Sequence, residues 1–578
     1  MVKRGYSAFL ALVLMMCYVL LPSLSDIRAE AESGTVTVNL MTGQGNAMTN
    51  FYILNSVLSS ADGVNELNVV LPKGGVYYIG TTGRALRIKS NTTIDLNGST
   101  LIRSGNMLSQ NLFQNCDNYG NKDAGGYSLT KNITIMNGRI DGAGNSSAAG
   151  NVNLLNFGHA SDIDLISLEL MNVRQGHLIE LSGCENVRIT GCTFSGFYGT
   201  PTGGNEAVQI DISKYSWNGA YAFDNTPSRN VTVSGCTFKD FPSGVGNHHS
   251  LNGGYHCSNI TISGNSFINS KKYALPGAAI KCYGFDNCNV QNNTVRGYYS
   301  DGVRVNGGSA NIISNSINTL GAEDSSGVYL TYANSYLYSQ YTPSNKAKEC
   351  ITSGRIDGNS ITGYRHHGVS VNGTSVITSV ASNKIFSGKG SGVYVTYSKV
   401  TSGINGNTVS GCSRADADNL GHGIHCTSTS TVKKMTQNNI TGCSGWGMLN
   451  YAKLTGMIVT ANNLIGNSLG SQKISGTGTV NTDRAPNNVT GLRVTGRTST
   501  SVKLSWTKSS NTTYYNIFRA DPGSSSYVLV CKCTSTSFTD SRLRPGMKYK
   551  YAVCAVKNIN GTEITSTGKT EISVTTNS

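Results

Sequence analysis

The sequence predicts an all-β protein: a parallel β-helix, that is, a solenoid of stacked coils, followed by a small β-sandwich. Three observations lead there. Charged residues are only 13% of the 578 and glycines number 68, a balance that suits short strands and turns better than amphipathic helices. Two short period-2 patterns alternate along most of the chain, and near residue 486 both give way to a different spacing of strands and turns. The length itself excludes one ordinary compact core, because a single core stops growing at about 250–300 residues.

At the N-terminus Lys3 and Arg4 precede an apolar run from Ala8 to Leu21, and small and polar residues follow through Ala29 and Ala31. This is the three-part form of a secretory signal peptide, so residues 1–31 are expected to be removed and the protein to be secreted, extracellular or associated with the cell wall. No later run approaches the roughly 20 apolar residues of a membrane-spanning helix. The 15 cysteines show no compact disulfide spacing, and several fall on repeat positions. They read as small buried hydrophobes. No CxxC pair supports a zinc site, and the histidines of HHS (248–250) read as a polar turn rather than metal ligands.

The first repeated pattern is Asn-aliphatic-x-aliphatic-x-x-Asn/Cys-x-aliphatic, as in NVRITGCTF (186–194), NVTVSGCTF (230–238) and NITISGNSF (259–267). The second is small-aliphatic-x-aliphatic, as in EAVQID (206–211), DGVRVN (301–306), SGVYVT (391–396) and HGIHCT (422–427). Each alternates with period 2 and is therefore strand-like. Copies recur roughly every 23 to 41 residues, the spacing of one coil per repeat with loops of variable length. A single coil cannot bury its aliphatics, whereas coils stacked about 4.8 Å apart turn them into continuous ladders. Val208, Ile280, Val303, Val328, Val369, Val393 and Ile424 are expected to form one inward stack. Asn265, Asn293, Asn315, Asn359, Asn383, Asn407, Asn438 and Asn462 mark a tight bend where side-chain amides can bond neighbouring coils, with Cys192 and Cys236 in that place earlier.

Side chains alternate across a strand, so the neighbours of the buried aliphatics face outward on one sheet. One outward column reads Glu180, Gln209, Gly246, Lys281, Arg304, Tyr329, Ser370, Tyr394 and His425. Two residues further along lie Ser182, Asp211, His248, Tyr283 and Asn306. His177, Glu206 and Asp301 sit at the corners, where alternation does not fix direction. The early coils are acidic and basic, and the later ones carry hydroxyls and aromatics. For hydrolysis two or three carboxylates must converge, with Glu180, Glu206 and Asp211 as candidates. For β-elimination a base works beside cations that balance a uronate carboxylate, with Lys281 and Arg304 as candidates. His248 completes the catalytic set. His177, Gln209, His249, Tyr283, Asp301, Asn306 and Tyr329 are candidates for substrate binding, and Trp217, Tyr221 and the tyrosines around 336–341 could stack on sugar rings.

The ladder, together with LPKGGVYYIG (71–80), SNTTIDLNGSTLIRS (90–104) and NITIMNGRIDGAG (132–144), resembles the right-handed parallel β-helix of the pectin-lyase-like superfamily over residues 35–475. The resemblance implies a polysaccharide-degrading activity, a glycoside hydrolase or polysaccharide lyase. NEAVQID (205–211) stands roughly where polygalacturonases carry Asn-Thr-Asp, but SGVGNHH (243–249) replaces their paired aspartates, and GHG (421–423) lies many coils from the place of their glycine-flanked histidine. Lys281 and Arg304 resemble the Lys and Arg of chondroitinase-B-like lyases, but the neutral YALPGAA (273–279) replaces that family's calcium-binding acids. No cofactor is implied, and calcium has little support.

Residues 476–486 read as a linker. From 487 to 578 about seven strands alternate around Trp506, and LRPGMKY (543–549) resembles the tyrosine corner of fibronectin type III domains, with Tyr549 as its tyrosine. The formal charge of +15 draws the protein to polyanions such as acidic polysaccharide or cell-wall polymer, and no nucleic-acid motif is present. The sequence thus supports a secreted enzyme that cleaves an acidic or plant-type polysaccharide, hydrolysis slightly ahead of elimination. The alternative is a non-catalytic surface protein that binds glycans or serves as a structural adhesin.

Overall fold

In the computed structural model the described residues are 34–578 except 81–84, 105–110, 116–124, 146–152, 202–204, 215–221, 223, 249–250, 253–254, 274, 332–351, 374, 418, 453–457, 461, 476–478, 481–485, 560–561 and 567. The signal-peptide reading of residues 1–31, His249, Trp217, Tyr221 and the tyrosines at 336–341 therefore lie outside the described residues. Two compact units result. One comprises the described residues up to Asn311 and the other the described residues from Ile312 onward.

In the first unit the chain climbs as parallel coils. Ile179–Ser182, Glu206–Asp211, Ser243–Gly246, Ile280–Tyr283 and Asp301–Asn306 stack in that order on one face. Their inward ladder is in register, Ile179 on Val208, Val208 on Val245, Val245 on Ile280 and Ile280 on Val303, and every member is fully buried. On another face Glu185–Thr190, Arg229–Ser234, Ser258–Ser263 and Asp286–Gln291 pair in parallel. The rings of Phe194, Phe238 and Phe267 stack at 4.7 and 4.6 Å, so identical positions of the repeat fill identical space. Among the described residues an α-helix, Ala47–Ser59, adds to the otherwise all-β architecture. Its buried Asn50 bonds the backbone of Met41 and Tyr78.

The second unit repeats the design. Ser326–Thr331, His367–Val371, Ser391–Val395, Ile424–Cys426 and Trp446–Asn450 stack in parallel, with Val328, Val369, Val393 and Ile424 in register.

The bends have a precise backbone logic. Among the described residues a residue with left-handed φ precedes the bend position, as with Gly191 at 63°, Gly235 at 62°, Gly264 at 64°, Asn292 at 56° and Ser382 at 55°. Glycine and asparagine tolerate that region best. The next residue turns inward and serves its neighbours. Asn359 Oδ1 accepts the N–H of Asn315, Asn383 Oδ1 that of Asn359, Asn407 Oδ1 that of Asn383 and Asn438 Oδ1 that of Asn407, all at 2.9–3.0 Å. Their Nδ2 groups donate to backbone carbonyls of the adjacent coil, for example Asn383 to Ile356 at 2.9 Å. Cys192 and Cys236 occupy the same place as buried thiols, with Cys192 N–H directed at Cys236 Sγ at 3.4 Å. A second, exposed ladder at the other end of the same strands had no counterpart in the expectations: Asn186, Asn230, Asn259 and Asn287 all have φ of 51–55° and link side chain to side chain at 2.8–3.0 Å.

The C-terminal sandwich pairs Thr490–Arg497, Ser501–Thr507 and Ser537–Ser541 in one antiparallel sheet and builds the other around Tyr514–Ala520 and Lys548–Ile559. Trp506 is buried edge-on to Tyr515 at 5.3 Å. The Tyr549 hydroxyl accepts the Arg544 N–H at 3.0 Å, which is the expected tyrosine corner. Among the described residues no helix is long and apolar enough to cross a membrane.

Candidate functional site

On the strands of the first unit the outward columns assemble as alternation requires. Glu180 lies beside Gln209, Gln209 beside Gly246 and Lys281 beside Arg304, while Ser182 lies beside Asp211 and Tyr283 beside Asn306. Tyr329 belongs to the other unit, where its column continues through Ser370, Tyr394 and His425.

The corner residues hold what sequence alone could not direct. Glu206 shares the parity of inward Val208, yet it is the first residue of its strand, where the chain is still turning. Its carboxylate, with 0% of its surface exposed, meets the Lys281 ammonium through Oε1 and lies 3.0 Å from His248 Nε2 through Oε2. Lys281 belongs two coils beyond Glu206 and reaches it across Gly246. A Cβ at position 246 would lie 2.8 Å from Lys281 Cβ and 2.9 Å from Glu206 Cγ. Absence of a side chain at one outward position is therefore what lets the two charges meet.

His177 closes the cluster. Its Nδ1 lies 2.7 Å from the Glu206 carbonyl oxygen, which can only accept, so Nδ1 carries the hydrogen. Its ring lies edge-on to that of His248 at 5.7 Å. Asn153 holds the His177 N–H at 2.8 Å.

Burial opposes every charge here, and the partners decide which charges survive. Glu206 is penalised by burial, but His248 and Lys281 hold it well below the usual carboxylate range. Lys281 is likewise penalised and then raised by Glu206. For His248 burial lowers the pKa, but the Glu206 carboxylate overrides it and brings the group up to about 9. Burial wins at His177, lowering it to about 4 against the pull of Glu206.

Glu180 and Asp211 form the second part of the site. Glu180 Oε2 accepts the Asn156 amide at 2.8 Å and also that of Asn153. Burial, followed by the charge of Asp211 on the next coil, pushes its carboxyl up to about 7. Asp211 takes the Gln209 amide on Oδ2 at 2.6 Å and the His248 N–H on Oδ1 at 2.9 Å. The same Gln209 nitrogen faces His248 Nδ1 at 3.1 Å. Asp301, buried at its corner, accepts Arg304 Nε at 2.7 Å. The Lys281 ammonium lies 5.2 Å over the Tyr283 ring.

The structure thus brings together Glu180, Gln209 and Asp211, and beside them His177, Glu206, His248 and Lys281. Arg304 turns instead to its own coil's Asp301. Three contributors were missed. Asn153 and Asn156 hold Glu180, and Asn247 braces the next coil by bonding Tyr283 N–H and C=O at 2.9 and 2.7 Å. Asn156 sits in register with Glu180, so continuing the outward column one coil toward the N-terminus would have found it.

Two family models match this architecture. Residues 278–440 match the model for a right-handed β-helix region and residues 486–569 that for a fibronectin type III domain. A poly(3-hydroxybutyrate) depolymerase of Ralstonia pickettii is 44% identical over 82 residues, which are 14% of this chain and 15% of that protein. Among solved structures, the A-module of a mannuronan C-5 epimerase from Azotobacter vinelandii is 13% identical with a TM-score of 0.37, over 75% of this chain and 96% of the module. Tailspike protein 3 of bacteriophage CBA120 is 11% identical with a TM-score of 0.38, over 84% of this chain and 66% of the tailspike. The chain is a right-handed parallel β-helix protein with a C-terminal fibronectin type III domain.

Proposed function

We propose that the chain is a secreted carbohydrate-active enzyme that hydrolyses glycosidic bonds in an acidic or plant-type polysaccharide. The observation that carries this reading is the pair Glu180 and Asp211 on adjacent coils, each oriented by side-chain amides. Glycoside hydrolysis needs one carboxyl group that is protonated near neutral pH and a second that is ionised. Glu180, pushed up to about 7 by burial and by the charge of Asp211, suits the first role. It gives its proton to the leaving glycosidic oxygen, while Asp211 either activates water or attacks the anomeric carbon. His248, cationic through Glu206, supplies positive charge beside the pair for an acidic sugar.

Hydrolysis is favoured over elimination because the two basic side chains that elimination would aim at a uronate carboxylate are already matched, Lys281 by buried Glu206 and Arg304 by buried Asp301. Glu206 has a positioning role in this reading. The test is incubation with a panel of acidic and neutral polysaccharides, following reducing ends and the ultraviolet absorbance of unsaturated uronates together. Hydrolysis gives reducing ends alone. Both signals together indicate elimination, and silence across the panel indicates glycan binding without catalysis. Glu180→Gln should lower kcat about 10²–10⁴-fold with the melting temperature retained. Wild-type activity should fall as pH rises through about 7, where Glu180 loses its proton.

A further inference from the structure

The corner also presents a donor set, in which an ion would take the place of the His248 proton that the hydrolase reading uses. His177, Glu206 and His248 each present a ligating atom, and these atoms lie within 4.8 Å of one another. We propose that they form a binding site for a borderline divalent cation of the Zn²⁺ or Co²⁺ type, with three protein ligands and one position left for water or a substrate oxygen.

The separations suit such an ion. Glu206 Oε2 is 3.0 Å from His248 Nε2 and 3.7 Å from His177 Nδ1. Ligands about 2.0–2.1 Å from a tetrahedral zinc stand about 3.3 Å apart, so Glu206 and His248 close with shifts of a few tenths of an ångström, while the His177 ring has to turn to bring its Nε2 to the ion within the 4.8 Å span of the set. The surroundings orient the ligands as outer-sphere partners do. The Lys281 ammonium holds Glu206 Oε1 and turns Oε2 toward the imidazoles. The Nδ1–H of His177 rests on a backbone carbonyl, which places the lone pair of that ring on Nε2. Gln209 presents its amide to His248 Nδ1 at 3.1 Å. Turned end for end, that amide offers an oxygen to Nδ1–H, exchanging one hydrogen bond with Asp211 for metal ligation.

Ligand chemistry sets the ion's class. Two imidazoles and one carboxylate suit zinc or cobalt, whereas calcium takes 6–8 oxygens. All three ligands rise from consecutive coils, at Ile179–Ser182, Glu206–Asp211 and Ser243–Gly246. The spacing therefore follows from stacking and matches no linear metal-binding motif.

The test uses the full chain, stripped with a chelator and titrated with Co²⁺ and Zn²⁺ by calorimetry and visible absorption. Expected are one ion per chain at this site, the absorption bands of four-coordinate Co²⁺ and its displacement by Zn²⁺. His248→Gln and His177→Ala should each weaken binding at least about tenfold, whereas His422→Ala/His425→Ala should leave it unchanged. A melting curve for each variant, and the wild-type cobalt spectrum, keep the test decisive if one variant misfolds. No saturable Co²⁺ or Zn²⁺ binding overturns the proposal. So does undiminished binding in the folded His177→Ala/His248→Gln chain, or Ca²⁺ binding as tightly as Zn²⁺. Binding is read separately from glycan cleavage: an ion-binding chain that cuts no glycan upholds this site and overturns the hydrolase reading, and an active chain that binds no ion does the reverse.

Discussion

The outward faces of the two units share a backbone plan and differ in chemistry. In the first unit Glu180, Glu206, Asp211, Lys281 and Asp301 are all at least nine-tenths buried, with Glu206 matched by Lys281 and Asp301 by Arg304. In the second the equivalent strand positions carry Tyr329, Ser370, Tyr394 and His425. On that face the His367 ring stacks on Tyr394 at 4.3 Å, and His422 and His425 are both lowered to about 4 by burial. The same ladder of valines and isoleucines can therefore carry a charged cluster or a neutral one. Chemistry here lies in what the ladder displays.

That contrast can be broken most forcefully at Glu206. Glu206→Ala leaves Lys281 buried without its counter-charge and should cost about 3–5 kcal/mol, read as a shift in denaturant midpoint. Equal stability of the variant would show that the cluster is not structurally coupled. Gly246→Ala places a methyl between Lys281 and Glu206 and should cost about 1–3 kcal/mol by overpacking, with activity lost alongside.

In the second unit, Asn383→Ala removes a rung of the amide ladder and leaves the N–H of Asn359 buried without its acceptor, for about 1–3 kcal/mol. Its effect on glycan cleavage should be negligible. The exposed pair Arg188–Asp164, at 2.5–2.6 Å, should matter least: Arg188→Ala is expected to cost less than about 1 kcal/mol.

pH should separate the units further. A carboxyl raised from 4.5 to about 7, as at Glu180, contributes stability that is present below 4.5 and lost as pH rises through 7. His248, raised from 6.5 to about 9, contributes stability that is lost as pH rises through 9. In the second unit His422 and His425, lowered from 6.5 to about 4, contribute stability present above 6.5 and lost as pH falls through 4. His177 follows this acid pattern inside the first unit. Glu206, held well below the usual carboxylate range, makes the first unit acid-labile as well, so hydrogen exchange read by mass spectrometry should distinguish the units in alkali, where the first opens sooner. Uniform opening in alkali would remove the distinction.

The repeat was legible because its physics is local. Period-2 alternation fixed which face Val208 and Lys281 take, and the recurrence of Asn or Cys two residues before an apolar residue marked the bends. The corners were illegible for the opposite reason. Glu206, His177 and Asp301 have the parity of core residues, and where they point depends on how the chain turns into its strand. The contact between Glu206 and Lys281 depends on stacking across 75 residues of sequence. The αL asparagines at 186, 230, 259 and 287 were visible as repeat letters, but their backbone role was not, since asparagine serves equally well in ordinary turns.

Gly246 has a bearing on how such a molecule can change length. Solenoids grow and shrink by duplicating or deleting whole repeats, because each repeat ordinarily senses only the one above and the one below. Here a bond spans three levels, so an added repeat anywhere between residues 206 and 281 would carry acid and base out of reach of each other. This stretch should be the part of the spiral where repeat number is frozen, while extension remains open elsewhere along its axis.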